Sequence, residues 1–177
     1  MRIDPKYFNL FIGICAVFTV IIIIFSTILY SHNQTVDFQN NVKEVSFDLI
    51  SFQSYSEPDS IRLSSLNDRP IIIHFWSTWS DKSHEIHKFL QEYKHQHPDL
   101  SVIAAAVRDA DDLILQYIHE HSYNFHFVNG TEFYQSMQIP GMPSQILITS
   151  NGSYYDSNIG NDITELRVKL DALLDEE

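Results

Sequence analysis

Residues 70–76, Pro-Ile-Ile-Ile-His-Phe-Trp, form a near-continuous apolar run that is β-branched in its middle, the pattern of a strand covered on both faces. Directly after it the period changes. Ile86, Phe89, Leu90 and Tyr93 recur at i, i+3, i+4 and i+7, marking one face of a helix that must stop before Pro98. A buried strand that turns straight into a helix needs a sheet with helices packed on it. The remaining segments supply such a sheet. Residues 101–107 are strand-like, and Asp109, Asp111 and Asp112 load the first turn of a helix running to His121, where carboxylates suit the dipole. Residues 125–128 read as a short strand before a turn at Asn129-Gly130. Residues 144–149 and 153–158 flank Ser150-Asn151-Gly152, a hairpin signal, and Ile163, Leu166, Leu170 and Leu173 mark a closing helix. The order βαβα then ββα predicts an α/β fold with a central mixed sheet flanked by helices.

Ahead of this core, residues 42–66 are short apolar pieces broken by Ser54-Tyr55-Ser56-Glu57-Pro58-Asp59, with Ile61 and Leu63 alternating against Arg62 and Ser64. They predict a β-hairpin extension that belongs to the domain spanning 42–177. Residues 31–41 are polar without helical or strand period and read as a tether. Residues 8–30 are almost wholly apolar, and at about 1.5 Å rise per residue they cross a bilayer core of about 30 Å. The run is longer than a usual signal-peptide core and no Ala-x-Ala site closes it, so a retained transmembrane helix is expected. Arg2 and Lys6 precede it and the next basic residue is Lys43, which places residues 1–7 in the cytoplasm and the domain outside, anchored to the cytoplasmic (inner) membrane of a bacterium.

The chain carries a formal net charge of −12. A surface this acidic repels phosphate backbones, so nucleic acid is excluded as a main partner. Cys15 is the only cysteine and lies inside the apolar run, so the exported domain can form no disulfide and offers no thiolate.

Two separated stretches carry the most specific signal: His74-Phe75-Trp76-Ser77-Thr78-Trp79-Ser80-Asp81-Lys82-Ser83, and Gly141-Met142-Pro143-Ser144 before the strand-like Gln145-Ile146-Leu147-Ile148. Together with Ile148-Thr149-Ser150-Asn151-Gly152 and Gly160 they resemble the TlpA/ResA-type membrane-anchored thioredoxins over about residues 45–174. Arg108-Asp109-Ala110-Asp111-Asp112 and Phe125-His126-Phe127-Val128-Asn129 look most like the suppressor-of-copper-sensitivity branch of protein disulfide oxidoreductases. The resemblance implies a thioredoxin-like fold, a cis bond before Pro143, and a site at the start of the first domain helix. Ser80 would stand where that family has its nucleophilic thiol and Ser83 where it has the resolving thiol. The glutamate and proline of the family's next turn fall near Ile86 and Lys88, with Glu85 one residue from the former.

A serine hydroxyl cannot attack or leave sulfur in thiol–disulfide exchange, so no catalytic residue is expected at Ser80 or Ser83. Ser80 or Asp81 reads as a helix cap rather than as a hydrolytic nucleophile served by His84 or His87. His84 and His87, at i, i+3, are the candidates for a shared metal, against the plainer reading of solvent-exposed histidines, and no cofactor is expected. Trp76 is expected inside and Trp79 over the site. The groove left by Trp79, Ser80, Met142, Pro143 and Ser144 suits an extended peptide added as a strand, which makes an extracytoplasmic or membrane polypeptide the expected partner. The two other readings are a thiol:disulfide interchange protein by descent and a histidine-based copper or zinc module.

Overall fold

The computed structural model describes residues 5–66 and 68–176. Arg2, whose charge sets the expected orientation, lies outside them. Helix α1 (Pro5–Lys43) is 39 residues long, about 58 Å. The domain follows as β1 (Ser51–Phe52), β2 (Ile61–Arg62), β3 (Ile71–Trp76), α2 (Asp81–Gln96), β4 (Ser101–Ala106), α3 (Asp111–Glu120), β5 (His126–Asn129), α4 (Thr131–Ser136), β6 (Ser144–Ile148), β7 (Tyr154–Ile159) and α5 (Ile163–Asp175).

Five strands form a mixed sheet in the order β5-β4-β3-β6-β7. β3 runs parallel to β4 and antiparallel to β6, so it sits in the middle, and all six of its residues are buried. That is why its sequence shows no alternation. One face packs on α2, α3 and α5 through Ile72, Trp76, Ile86, Leu90, Tyr93, Leu166, Leu170 and Leu173. The other is covered by Phe47, Phe52, Leu63, Phe133 and Ile139 together with Phe38 and Val42 of α1. β1 and β2 form the expected short antiparallel ribbon, with Phe52 opposite Ile61. Beyond it the chain bridges the open edge of β5, where Asn129 N–H donates to Gln53 and Tyr55 N–H to Phe127.

Two expectations are corrected. The segment 31–41, read as a non-helical tether, continues α1 without a break, and Phe38 and Val42 at its end are fully buried in the domain. Its polar residues hid a helix stabilised by tertiary contact rather than by its own period. The domain core therefore begins before residue 42. Asn129-Gly130 does not merely turn the chain: Gly130 begins the extra helix α4, and a Cβ there would lie 2.6 Å from the Ala105 side chain. By contrast Gly152, at φ +81°, makes the expected β6–β7 turn.

Replacing a fully buried aromatic by alanine costs about 3–5 kcal/mol. Phe38→Ala should therefore lower the domain's stability to urea by an amount of that order, whereas Asn40→Ala, exposed on the same turn, should change it little. Equal effects would mean that the end of α1 is not part of the core.

Candidate functional site

The site lies where β3 ends and α2 begins. After Trp76, buried in the core, Thr78 N–H donates to the Asp109 carboxylate, which ties this loop to the end of β4. Trp79 then turns outward and is 69% exposed. Ser80, with extended backbone, is the N-cap of α2, and its hydroxyl accepts from Ser83 N–H at 3.3 Å. Its carbonyl accepts from Ser83 N–H and His84 N–H, opening the helix. Ser83 is fully buried, its Oγ without a partner among the described residues. The two serines are thus a capping residue and a buried first-turn residue.

Across the sheet, β3 pairs with β6 so that Phe75 faces Ser144, which brings the segment just before β6 beside Trp76 and the start of α2. The Met142-Pro143 bond is cis. Pro143 carbonyl accepts from Gly160 N–H at 2.8 Å, and Ser144, fully buried, donates its hydroxyl to Gly141 carbonyl. Met142 is half-buried, and among the described residues neither its N–H nor its C=O is used. The accessible surface is therefore Trp79 and the Gly141-Met142 backbone. Ser80, Pro143 and Ser144 form its floor.

Below that floor are residues that sequence reasoning missed. His74, the one polar residue of β3, is fully buried, and the amide of Gln145 donates to its Nδ1 at 3.1 Å. Gln145 Oε1 in turn accepts from Asn158 Nδ2 at 2.7 Å. The registers His74 with Gln145 and Gln145 with Asn158 place the three in one row across β3, β6 and β7. Burial pushes the His74 pKa down to about 3, opposed only in part by the nearby backbone of Ser83 and Ser144. The available signal was a histidine inside a strand that could expose neither face.

His87 is also fully buried, its ring 5.0 Å from that of His74, and its Nδ1 shares a hydrogen bond of 2.8 Å with the Tyr117 hydroxyl. Tyr117 is stacked between His84 at 4.9 Å and His121 at 4.2 Å. Burial first, then the neighbouring His74, His84 and His121, hold His87 well below its ordinary value. His84 is lowered too, chiefly by burial and against the pull of Asp81. The plain expectation of solvent-exposed histidines fails for His74 and His87. The helix spacing of His84 and His87 does not gather a ligand set either: among the described residues no group of three or more histidine, cysteine, aspartate or glutamate side chains is placed to hold a metal.

A concavity of about 330 Å³ flanks the site, lined by Thr78, His84, Leu113, Tyr117 and His121. A larger one of about 770 Å³, between residues 49–53 and α4, includes none of the site residues.

No family model matches the sequence, and no curated protein matches it. Solved structures do match. A thiol:disulfide interchange protein of the thioredoxin family from Chlorobium tepidum superposes with a TM-score of 0.62 at 14% identity, covering 71% of this chain and 92% of the other. The fold is that of thioredoxin. A secreted Mycobacterium tuberculosis disulfide oxidoreductase homologous to Escherichia coli DsbE gives 0.59 at 15% identity, over 76% and 98% of the two chains. StoA from Bacillus subtilis gives 0.56 at 15%, over 68% and 95%. At these identities the likeness concerns the thioredoxin fold alone, and chemistry must be argued from this chain's residues.

Both buried imidazoles are neutral in the folded protein but would titrate near pH 6.5 in the unfolded chain. Below that pH the unfolded state binds more protons than the folded one, so stability is complete above about pH 6.5 and falls as the pH drops toward the depressed folded values. Each histidine adds a slope of up to about 1.4 kcal/mol per pH unit. Urea midpoints should fall steadily between about pH 6.5 and 5, and His87→Phe should remove roughly half of that slope. A flat profile over this range would mean that the two rings are not buried neutral.

Proposed function

We propose that the chain is a membrane-anchored, extracytoplasmic thioredoxin-like module that binds a partner polypeptide and performs no thiol chemistry. One observation carries this reading: the two positions that should hold the redox couple are a helix cap and a buried hydroxyl, while the recognition surface beside them stays open. Ser80 spends its oxygen on the Ser83 amide, and Ser83 is inaccessible. Exchange needs a thiolate attacking a disulfide sulfur, and the domain contains no cysteine. Trp79 and the unpaired Met142 backbone remain, offering an aromatic surface next to a donor and an acceptor. An extended peptide laid there would gain a few main-chain hydrogen bonds, each worth about 0.5–1.5 kcal/mol net.

Binding through so small an edge is weak, and anchoring offsets this by raising the effective concentration of partners in the same membrane. α1 is long and apolar enough to cross a bilayer. Its unbroken passage through residues 31–41 into the core also favours retention, because a processing protease needs a stretch of extended backbone. The proteins whose folds match include a thiol:disulfide interchange protein and a secreted disulfide oxidoreductase, which suits a role among envelope protein-thiol systems.

With Cys15→Ser removing the one thiol of the chain, the purified protein should neither reduce nor oxidise a disulfide substrate above background, and Ser80→Ala should leave that result unchanged while removing a cap worth about 0.5–2 kcal/mol. The double variant Ser80→Cys, Ser83→Cys should form a reducible disulfide, seen as a mobility shift after alkylation. Exchange activity in this sequence that Ser80→Ala abolishes would overturn the reading.

A further inference from the structure

The way α1 enters the domain fixes which end of the sheet faces the membrane. Gln34 lines one concavity with Arg108, Tyr134, Gln138 and Ile139. Arg108 lies just past the end of β4, and Ile139 lies just before the Gly141-Met142-Pro143 turn, so this is the site end of the sheet. From there α1 runs toward the other end. Four residues beyond Lys43 the chain reaches the turn Phe47–Leu49, where Asp48 lies against the Gly152 turn between β6 and β7. Ile71, the first residue of β3, pairs there with Ile148. The helix therefore climbs from the site end to the far end as it leaves the membrane.

The heights follow from helix geometry. The apolar run ends at Tyr30, and Gln34 is four residues later, a rise of about 6 Å. The headgroup layer on one side of a bilayer is about 5–7 Å deep. The site end thus meets the headgroup surface, and the β6–β7 turn lies further out by roughly the 20 Å length of β3.

We propose that the Trp79 and Gly141-Met142 surface faces the bilayer and takes an extracytoplasmic segment of another membrane-embedded polypeptide where it emerges beside α1, and that this segment is basic. The proposal rests on the partner-binding reading and adds the partner's place and charge. Exposed Asp81, Glu85, Asp111, Asp112 and, at the start of α5, Asp162, with half-buried Asp109, lie at this end, against Lys82, Lys88 and Arg108. That excess of carboxylates repels anionic headgroups and complements a cationic peptide. Exposed Leu113 lines one concavity with Thr78, the residue before Trp79, and adds apolar surface at this end.

The test uses the full chain in vesicles with Cys15→Ser. Single cysteines replacing Lys82 at the site end and Asn151 at the far turn carry spin labels, and nickel-chelating lipids in the outer surface relax whichever label lies close. Strong relaxation at 82 and weak relaxation at 151 is expected, in vesicles with or without phosphatidylglycerol. Equal relaxation, or the reverse order, overturns the orientation. Relaxation at 82 that requires phosphatidylglycerol overturns the polypeptide in favour of a lipid surface. In cells, a photocrosslinker at position 79 should yield products whose partner, identified by mass spectrometry, carries a membrane span of its own, and a flexible Gly-Ser insertion after His32 should cut their yield severalfold while the urea midpoint stays unchanged. Crosslinks only to soluble proteins overturn the membrane-embedded partner. No crosslink at position 79, with the label order as expected, overturns partner binding itself.

Discussion

A strand buried on both faces can keep a polar side chain only if a neighbouring strand satisfies it, and the structure depends on how β3 meets this constraint at His74. The answer is lateral: Gln145 on β6 donates to the imidazole and Asn158 on β7 donates to Gln145, so the row fixes the register of three strands together. A slip of β6 by one residue would put Ile146 or Ser144 opposite His74 and take away the partner of its Nδ1, leaving both buried ring nitrogens unpaired among the described residues. Because that register also sets where the Met142-Pro143 turn stands relative to α2, the geometry of the site depends on a polar row beneath it.

Much of this was legible from residue spacing. Ile86, Phe89, Leu90 and Tyr93 on α2, and Leu166, Leu170 and Leu173 on α5, are buried as their period requires. The central position of β3, the β6–β7 hairpin, the cis bond before Pro143 and the outward turn of Trp79 also agree with the sequence. Period fails where an element is short or where contact, not pattern, stabilises it. α4 has six residues, too few to show a face, and is set by the close approach of Gly130 to Ala105. Residues 31–41 look polar because only Phe38 and, just beyond, Val42 meet the domain. His74 and His87 escaped notice because histidine count suggests surface, whereas only the assembled sheet and Tyr117 show what they pair with.

The site is built on the framework of the thioredoxin fold, with serines at the helix start. The helix start still needs a cap, and serine serves there as well as any residue. The position below must be small and buried, and serine fits with a single unsatisfied hydroxyl. Neither requirement reaches the exposed aromatic or the open main chain of Met142, so the helix cap and the exposed surface are set by separate constraints.

In the membrane-anchored form proposed above, the continuity of α1 has a mechanical consequence. A helix embedded in a bilayer adjusts its tilt to hydrocarbon thickness, with tilts of about 20° common. A flexible connection would absorb that tilt, but Phe38 and Val42 fasten the helix into the core, so any inclination of the span inclines the whole sheet. Membrane thickness is thereby converted into the angle between the domain and the lipid surface. Thicker and thinner regions of one membrane would present the same domain in different attitudes.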